Sequence, residues 1–289
     1  MLTINSLKPC LKVNNNLSLS NYSREIYSLI KRLYIQILKR PTILITSMVQ
    51  PLLWLILFGA LFKEVNISSQ YIDIPKIQYI YFLNPGIIIF TTFTGALNAG
   101  LPTIFDREFG FLNRLLISPM KSYYSFFISN IFFTTLISII QSITILIFIY
   151  CQQNTAYSLQ QDLMIFIIIT LLTIIVSHLS TSLAFLLPGH IEFLGFTLLV
   201  NLPSLFASTA LAPIALMPKW LQILVCINPM TYAIEVARNI MIQHTLQLNM
   251  KIIETDYISI HLHESIFLFT LFNLTNIVIS KYIIQYKYQ

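Results

Sequence analysis

The residues able to do chemistry are few and scattered. His261, His263, Glu264 and Asp256 gather near the C-terminus, but their spacing fits no metal motif such as H-E-x-x-H; they read as a solvated loop before a last apolar segment. His178 lies inside an apolar run, where an ionisable group raises a functional question. A neutral imidazole hydrogen-bonded to Ser or Thr on a neighbouring helix is the simpler expectation. Cys10, Cys151 and Cys226 show no redox or metal spacing. Topology allows a disulfide between Cys151 and Cys226, and unpaired thiols are the plainer reading. There is no G-x-S-x-G, no pair of intramembrane carboxylates and no G-x-x-x-x-G-K-[ST]; with 7 glycines in all, the chain has no glycine-rich phosphate cradle. The expectation is a protein that is not an enzyme, has no catalytic or metal-ligating residues, and draws its energy from elsewhere.

The elements that carry these residues belong to a bilayer. Of 289 residues, 56% are apolar and 10% are charged, with a mean hydropathy of +0.75, whereas soluble domains carry roughly 25% charged residues. The net charge of +6 does not form a basic patch with interleaved aromatics, so no nucleic-acid partner is expected. The basic residues sit instead at the borders of apolar runs, as orientation in a membrane requires.

About 20 apolar residues cross a bilayer, and the charge-free intervals place six crossings at about 43–62, 82–104, 124–150, 163–187, 193–216 and 265–284. The last becomes long enough if Lys281 reaches outward to the headgroups. Residues 1–21 form a polar leader without a cleavable signal. Residues 22–40 form an amphipathic helix, with Ile26, Leu29, Ile30, Leu33, Tyr34 and Ile37 at helical spacing among Arg24, Lys31, Arg32, Lys39 and Arg40; such a helix lies in the headgroup plane. Residues 41–289 make up the transmembrane domain. Twelve Lys and Arg fall on the side of the N-terminus and five on the other, which predicts both termini on the cytosol-equivalent, or cis, side. Residues 106–123 then form a short cis-side surface helix between the second and third crossings. Residues 217–250, broken near Pro218 and Pro229, form short trans-side helices that dip into the membrane. All 11 acidic residues fall outside the crossing cores, unlike a carrier that buries charges to bind a coupling ion; a partner-driven device fits better.

Four stretches resemble the ABC-2 type permeases, the membrane subunits of ABC exporters. They are Pro51-Leu-Leu-Trp54-Leu-Ile-Leu-Phe58-Gly59, Leu83-Asn84-Pro85-Gly86-Ile87, FDREFGFLNRLLISPM from Phe105 to Met120, and Met217-Pro218-Lys219-Trp220-Leu221 followed by Asn228-Pro229-Met230-Thr231-Tyr232-Ala233 and Arg238. The likeness runs over residues 24–284. It implies an all-α fold of six crossings, working as a dimer in membrane lipid and driven by a separate ATPase subunit that holds ATP and Mg, with no cofactor in this chain. It implies that residues 105–120 form a coupling helix, with Asp106, Arg107, Glu108 and Arg114 facing the ATPase and Leu115, Leu116 and Pro119 anchoring it. Met217, Pro218, Trp220, Asn228, Pro229, Tyr232 and Arg238 would build the trans-side helices that close an export path. Where the family usually has Glu after the coupling-loop glycine, this chain has Asn113 and Arg114, a departure that bears on which ATPase it accepts. The competing functions are a protein-translocation or insertion component, which lacks the 105–120 and 217–238 patterns, and an intramembrane lipid or sugar transferase, which needs clustered polar residues at an interface. Heavy use of Ile, Asn, Tyr, Phe and Lys, whose codons are AT-rich, points to a plastid membrane or, failing that, a bacterial inner membrane.

Overall fold

The computed structural model describes residues 19–39, 41–62, 66–67, 77–112, 114, 124–153, 158–243, 251–254 and 259–288. Helices dominate. They are α1 (Leu19–Leu38), α2 (Pro41–Leu61), α3 (Tyr79–Leu97), α4 (Leu101–Glu108), α5 (Tyr124–Gln153), α6 (Leu159–Leu186), α7 (His190–Phe206), α8 (Lys219–Ile227), α9 (Pro229–Gln243) and α10 (Leu262–Tyr288). A 3₁₀ turn, Asn98–Gly100, joins α3 to α4, and another, Ile214–Leu216, precedes α8. Two small antiparallel ladders, Asn66–Ile67 with Ile77–Gln78 and Lys251–Glu254 with Ser259–His261, sit in connections outside the long helices.

The core is built around α3, which packs against α2, α5, α6 and α9; every residue from Phe82 to Phe93 is buried. α10 packs on α6, and α1 on α5. Many hydroxyls inside these apolar helices are satisfied locally. Thr91 donates to the Ile87 carbonyl (2.6 Å), Thr173 to Ile169 (2.6 Å) and Thr181 to Ser177 (2.8 Å), which keeps polar groups paired where no water is at hand. The break between α3 and α4 frees backbone groups, and Ser180 of α6 bridges them. Its hydroxyl donates to the Leu97 carbonyl (2.5 Å) and accepts from the Gly100 N–H (2.9 Å). Gly86 lets α3 touch the chain after α7, because a β-carbon there would stand 2.6 Å from the Ala210 carbonyl oxygen.

Among the described residues, four helical stretches are long and apolar enough to cross a membrane: Tyr79–Glu108, Ser125–Gln152, Leu159–Leu186 and Leu262–Ile279. The pair Lys219–Ile227 and Pro229–Met241, bent by 87°, makes a fifth if counted as one broken crossing. Ser47–Leu61, the part of the 21-residue α2 whose side chains are all described, and His190–Phe206 are apolar segments of fewer residues. The architecture is therefore that of a multi-pass helical membrane protein, with four to five crossings by length and composition among the described residues.

The fifth predicted crossing, 193–216, takes a different form. Its helix begins at His190 and stops at Phe206, and residues 207–212 run as turns and bends. Ser208 explains the stop: its hydroxyl donates to the Leu205 carbonyl (2.7 Å) and accepts from the Ala210 N–H (3.3 Å), a local alternative to helix continuation. In place of a helix over 22–40, α1 runs from Leu19, inside the expected leader, to Leu38, with Leu29 and Leu33 buried.

Candidate functional site

Three consecutive residues at the end of α4 tie together three separate elements. Asp106, 8% exposed, takes a two-pronged ion pair from Arg32 of α1, at 2.9 and 2.5 Å. The Arg32 guanidinium also lies 4.2 Å from the centre of the Phe111 ring. Planar guanidinium suits both contacts, whereas a lysine ammonium would make only a point contact. Arg107 reaches the last turn of α6 and the residues beyond it. It donates to the carbonyls of Ala184 (3.0 Å), Phe185 (3.3 Å), Leu187 and Pro188 (2.7 Å). A cation over the orphan carbonyls of a helix C-terminus is favourable both as a donor and against the helix dipole. Glu108 does the converse at the start of α7. One carboxylate oxygen accepts from the His190 N–H (2.7 Å) and the other sits 2.6 Å from the His190 Nδ1.

Local sequence explains this concentration. Leu101-Pro102 starts α4 with proline in its first turn, and Gly110 ends it with φ at +72°, a left-handed conformation that favours glycine. The glycine of the R-E-x-G pattern is there to turn the chain. Beneath the turn, Leu29, Leu112, Phe126, Phe127 and Phe185 form an apolar cluster, and Ser125 donates to Glu25 of α1 at 3.0 Å.

The sequence-derived residues thus divide. Asp106, Arg107 and Glu108 are engaged within the chain. Arg114 is exposed, its N–H donating to the Gly110 carbonyl (3.3 Å). Leu115, Leu116 and Pro119 lie outside the described residues. Sequence reasoning missed Phe109, whose side chain is 79% exposed beside these charges. It also missed the partners Arg32 and His190, which stand 74 and 82 residues away in the chain, too far for any local spacing to reveal.

The second group of residues forms a latch at the other end of the bundle. Asn228 sits between α8 and α9 and serves both α7 and α9. Its amide donates to the Ser204 (2.9 Å) and Ala207 (2.8 Å) carbonyls at the end of α7, and its oxygen accepts from the Met230 N–H (3.0 Å). Pro229 follows as the first residue of α9, where a missing N–H costs nothing. Tyr232 donates to the Cys226 carbonyl at 2.5 Å. Pro218 precedes α8. Met217 is buried, and its carbonyl accepts from Gln222 (2.9 Å). Trp220 is 65% exposed.

Arg238 is buried under the latch. It pairs with Glu235, donates to the Thr209 (2.6 Å) and Phe82 (3.4 Å) carbonyls, and lies 3.7 Å from the centre of the Phe82 ring. Nearby on α3, Tyr79 donates to the Leu211 carbonyl at 2.9 Å. A buried arginine thus joins α3, the chain after α7, and α9.

These two assemblies occupy the stretches that resemble the ABC-2 permeases, and the family profile described as ABC-2 type transporter matches residues 24–242. The chain belongs to the ABC-2 type transporter family. Similar proteins carry the name transport permease ycf38. The one from Cyanophora paradoxa is 40% identical over 264 residues, covering 91% of this chain and 90% of the relative. Those from Porphyra purpurea and Pyropia yezoensis are 48% identical over 235 and 233 residues, covering 81% and 80% of this chain and 80% and 79% of each relative. Membership of this family makes the chain a transport permease, a multi-pass membrane subunit of a kind that normally works with an ATPase.

The other sequence candidates take structural places. Glu264 accepts from the His261 N–H at 2.8 Å as α10 begins, and the His261 and His263 rings stack at 5.7 Å. His178 is half-buried in α6. Neither Cys151 nor Cys226 is in a disulfide among the described residues. Among the described residues, no three His, Cys, Asp or Glu side chains are grouped to hold a metal.

Proposed function

We propose that this chain forms the membrane pathway of an ABC exporter and is driven by a separate ATPase subunit that docks at the end of the bundle holding Asp106, Arg107 and Glu108. The observation that carries this reading is the three-way tie at the end of α4. A push on this one segment reaches α1 through Arg32, the end of α6 through Arg107 and the start of α7 through Glu108. Helices joined by charge-assisted bonds move as a unit. Exposed Phe109 and Arg114 are the groups left to meet the partner. Leu115, Leu116 and Pro119 would anchor the same segment.

The chain works in this reading as a six-crossing subunit with both termini on the cis side. The 21-residue α2, Pro41–Leu61, is long enough to span, and His190–Phe206 completes the count by local thinning of the bilayer. The subunit is paired with a second copy, and ATP and Mg are held by the ATPase. The latch at Met217–Arg238 closes the trans end of the path. The outward apolar faces of α2 (Val49, Leu53, Leu57) and α7 (Leu198, Leu199, Leu202) supply the surface for pairing. Heavy use of amino acids whose codons are AT-rich and the algal relatives favour a plastid membrane.

Purification in mild detergent tests the docking. The wild-type chain should carry a nucleotide-binding subunit at fixed stoichiometry, and Phe109→Asp should lose it while remaining monodisperse. Full retention of that subunit by the variant overturns the assigned docking surface. Failure of any nucleotide-binding subunit to co-purify with the wild type overturns the exporter reading itself.

A further inference from the structure

The outward face of α1 is not used by the network described above. Its inward face carries Leu29 and Leu33, which are buried, and Arg32 and Glu25, which bond to Asp106 and Ser125. On the opposite side Arg24, Tyr27, Lys31, Tyr34 and Leu38 follow one another at three- or four-residue steps. All five are exposed, with Lys39 beside them. Tyr27 is 68% exposed and Tyr34 56%. Residues spaced this way share a helix face, so cations and tyrosines alternate along one stripe. Within the described length of α1 the only acid is Glu25, and it faces inward.

The stripe's level is set by what α1 touches. Its inner face meets Ser125 and Phe126 at the start of α5, Phe185 at the end of α6, and Asp106 near the end of α4. Three membrane-length helical stretches therefore begin or end where α1 lies. Beyond Lys39 the chain enters the apolar α2 at Pro41. That level is the headgroup layer, where amphipathic tyrosine rings are at home and where lysine and arginine meet lipid phosphate or other headgroup anions.

We propose that the Arg24–Tyr27–Lys31–Tyr34 stripe of α1, extended by Lys39, is a binding surface for anionic lipid headgroups. The cations attract the headgroup charge, and the tyrosines bury their rings at the boundary while their hydroxyls remain among polar groups. Because Arg32 and Glu25 on the same helix hold the end of α4 and the start of α5, the lipid bound here contacts the element that carries the α4 node.

The full-length chain, reconstituted in phosphatidylcholine bilayers, tests this with spin-labelled phosphatidylglycerol and spin-labelled phosphatidylcholine as probes of the lipid held at the protein surface. The wild type should prefer phosphatidylglycerol, and the preference should fade with added salt. Each neutralisation in the series Arg24→Gln, Lys31→Gln, Lys39→Gln should lower it about fivefold, which corresponds to about 1 kcal/mol for one cation near an anionic surface. The charge-keeping set Arg24→Lys, Lys31→Arg, Lys39→Arg should retain the preference, separating loss of charge from damage to the helix. No preference in the wild type, or a preference untouched by the triple Gln variant, overturns the proposal. It is overturned equally if Lys31 is shielded from an amine-reactive reagent only when a protein partner is bound, and not by anionic lipid.

Discussion

Two arginines organise opposite ends of this permease, and they are satisfied differently. Arg107 spreads its donors over the backbone carbonyls at the end of α6, with solvent nearby. Arg238 is sunk in the bundle against Glu235, Phe82 and two carbonyls, and its Nε finds no acceptor. Three residues on the neighbouring elements also have unpartnered side-chain atoms: the Asn84 amide and the hydroxyls of Thr209 and Thr231. The α4 end is thus a tied joint in which only the Arg32 Nε lacks an acceptor among the ion-paired residues, while the latch end is held by one deeply placed charge amid several unpaired groups. Unpaired buried groups cost free energy. That cost falls more heavily on the latch, around the deeply placed Arg238.

The largest effect that breaks this contrast should come from Arg238→Met. Removing one partner of a buried pair strands the Glu235 charge at a cost of about 3–5 kcal/mol. Thermal unfolding in detergent should drop sharply and recover most of the loss when Glu235→Gln is added. If the double variant is no better than the single, the pair is not what makes Arg238 indispensable. Arg107→Met should cost less, about 1.5–3 kcal/mol for lost bonds to a charged donor, because water can reach part of that site. A larger loss than for Arg238→Met would reverse the comparison. The smallest effect should come from Asn84→Leu. An amide with neither atom paired contributes little, so the change should be within about 0.5 kcal/mol of neutral or mildly stabilising. A loss above that in the same melt would mean that Asn84 has a partner in the working protein.

The sequence made the membrane character plain because hydrocarbon tolerates so few charges that the crossings mark themselves. The breaks near Pro218 and Pro229 were legible for a similar reason: proline at a helix start is a local signal. The end of α7 was not. Residues 207–216 read as apolar as those before them, and the stop depends on a Ser208 turn and on an Asn228 amide that arrives from 21 and 24 residues away. The same limit applies to Asp106, Arg107 and Glu108. Their charges and place between two crossings were readable, but the partners that absorb those charges lie on α1 and at the α6–α7 turn. Composition names a charged residue, and only the fold decides whether it faces outward.

The short turn from Leu187 to Gly189 has a practical consequence. Its entry is pinned by Arg107 and its exit by Glu108, two adjacent residues of one helix, so the gap between α6 and α7 is gauged by the width of a single dipeptide. A tag or reporter spliced into that turn would have to pull the two anchors apart, making it a poor site for engineering in spite of its place at the surface.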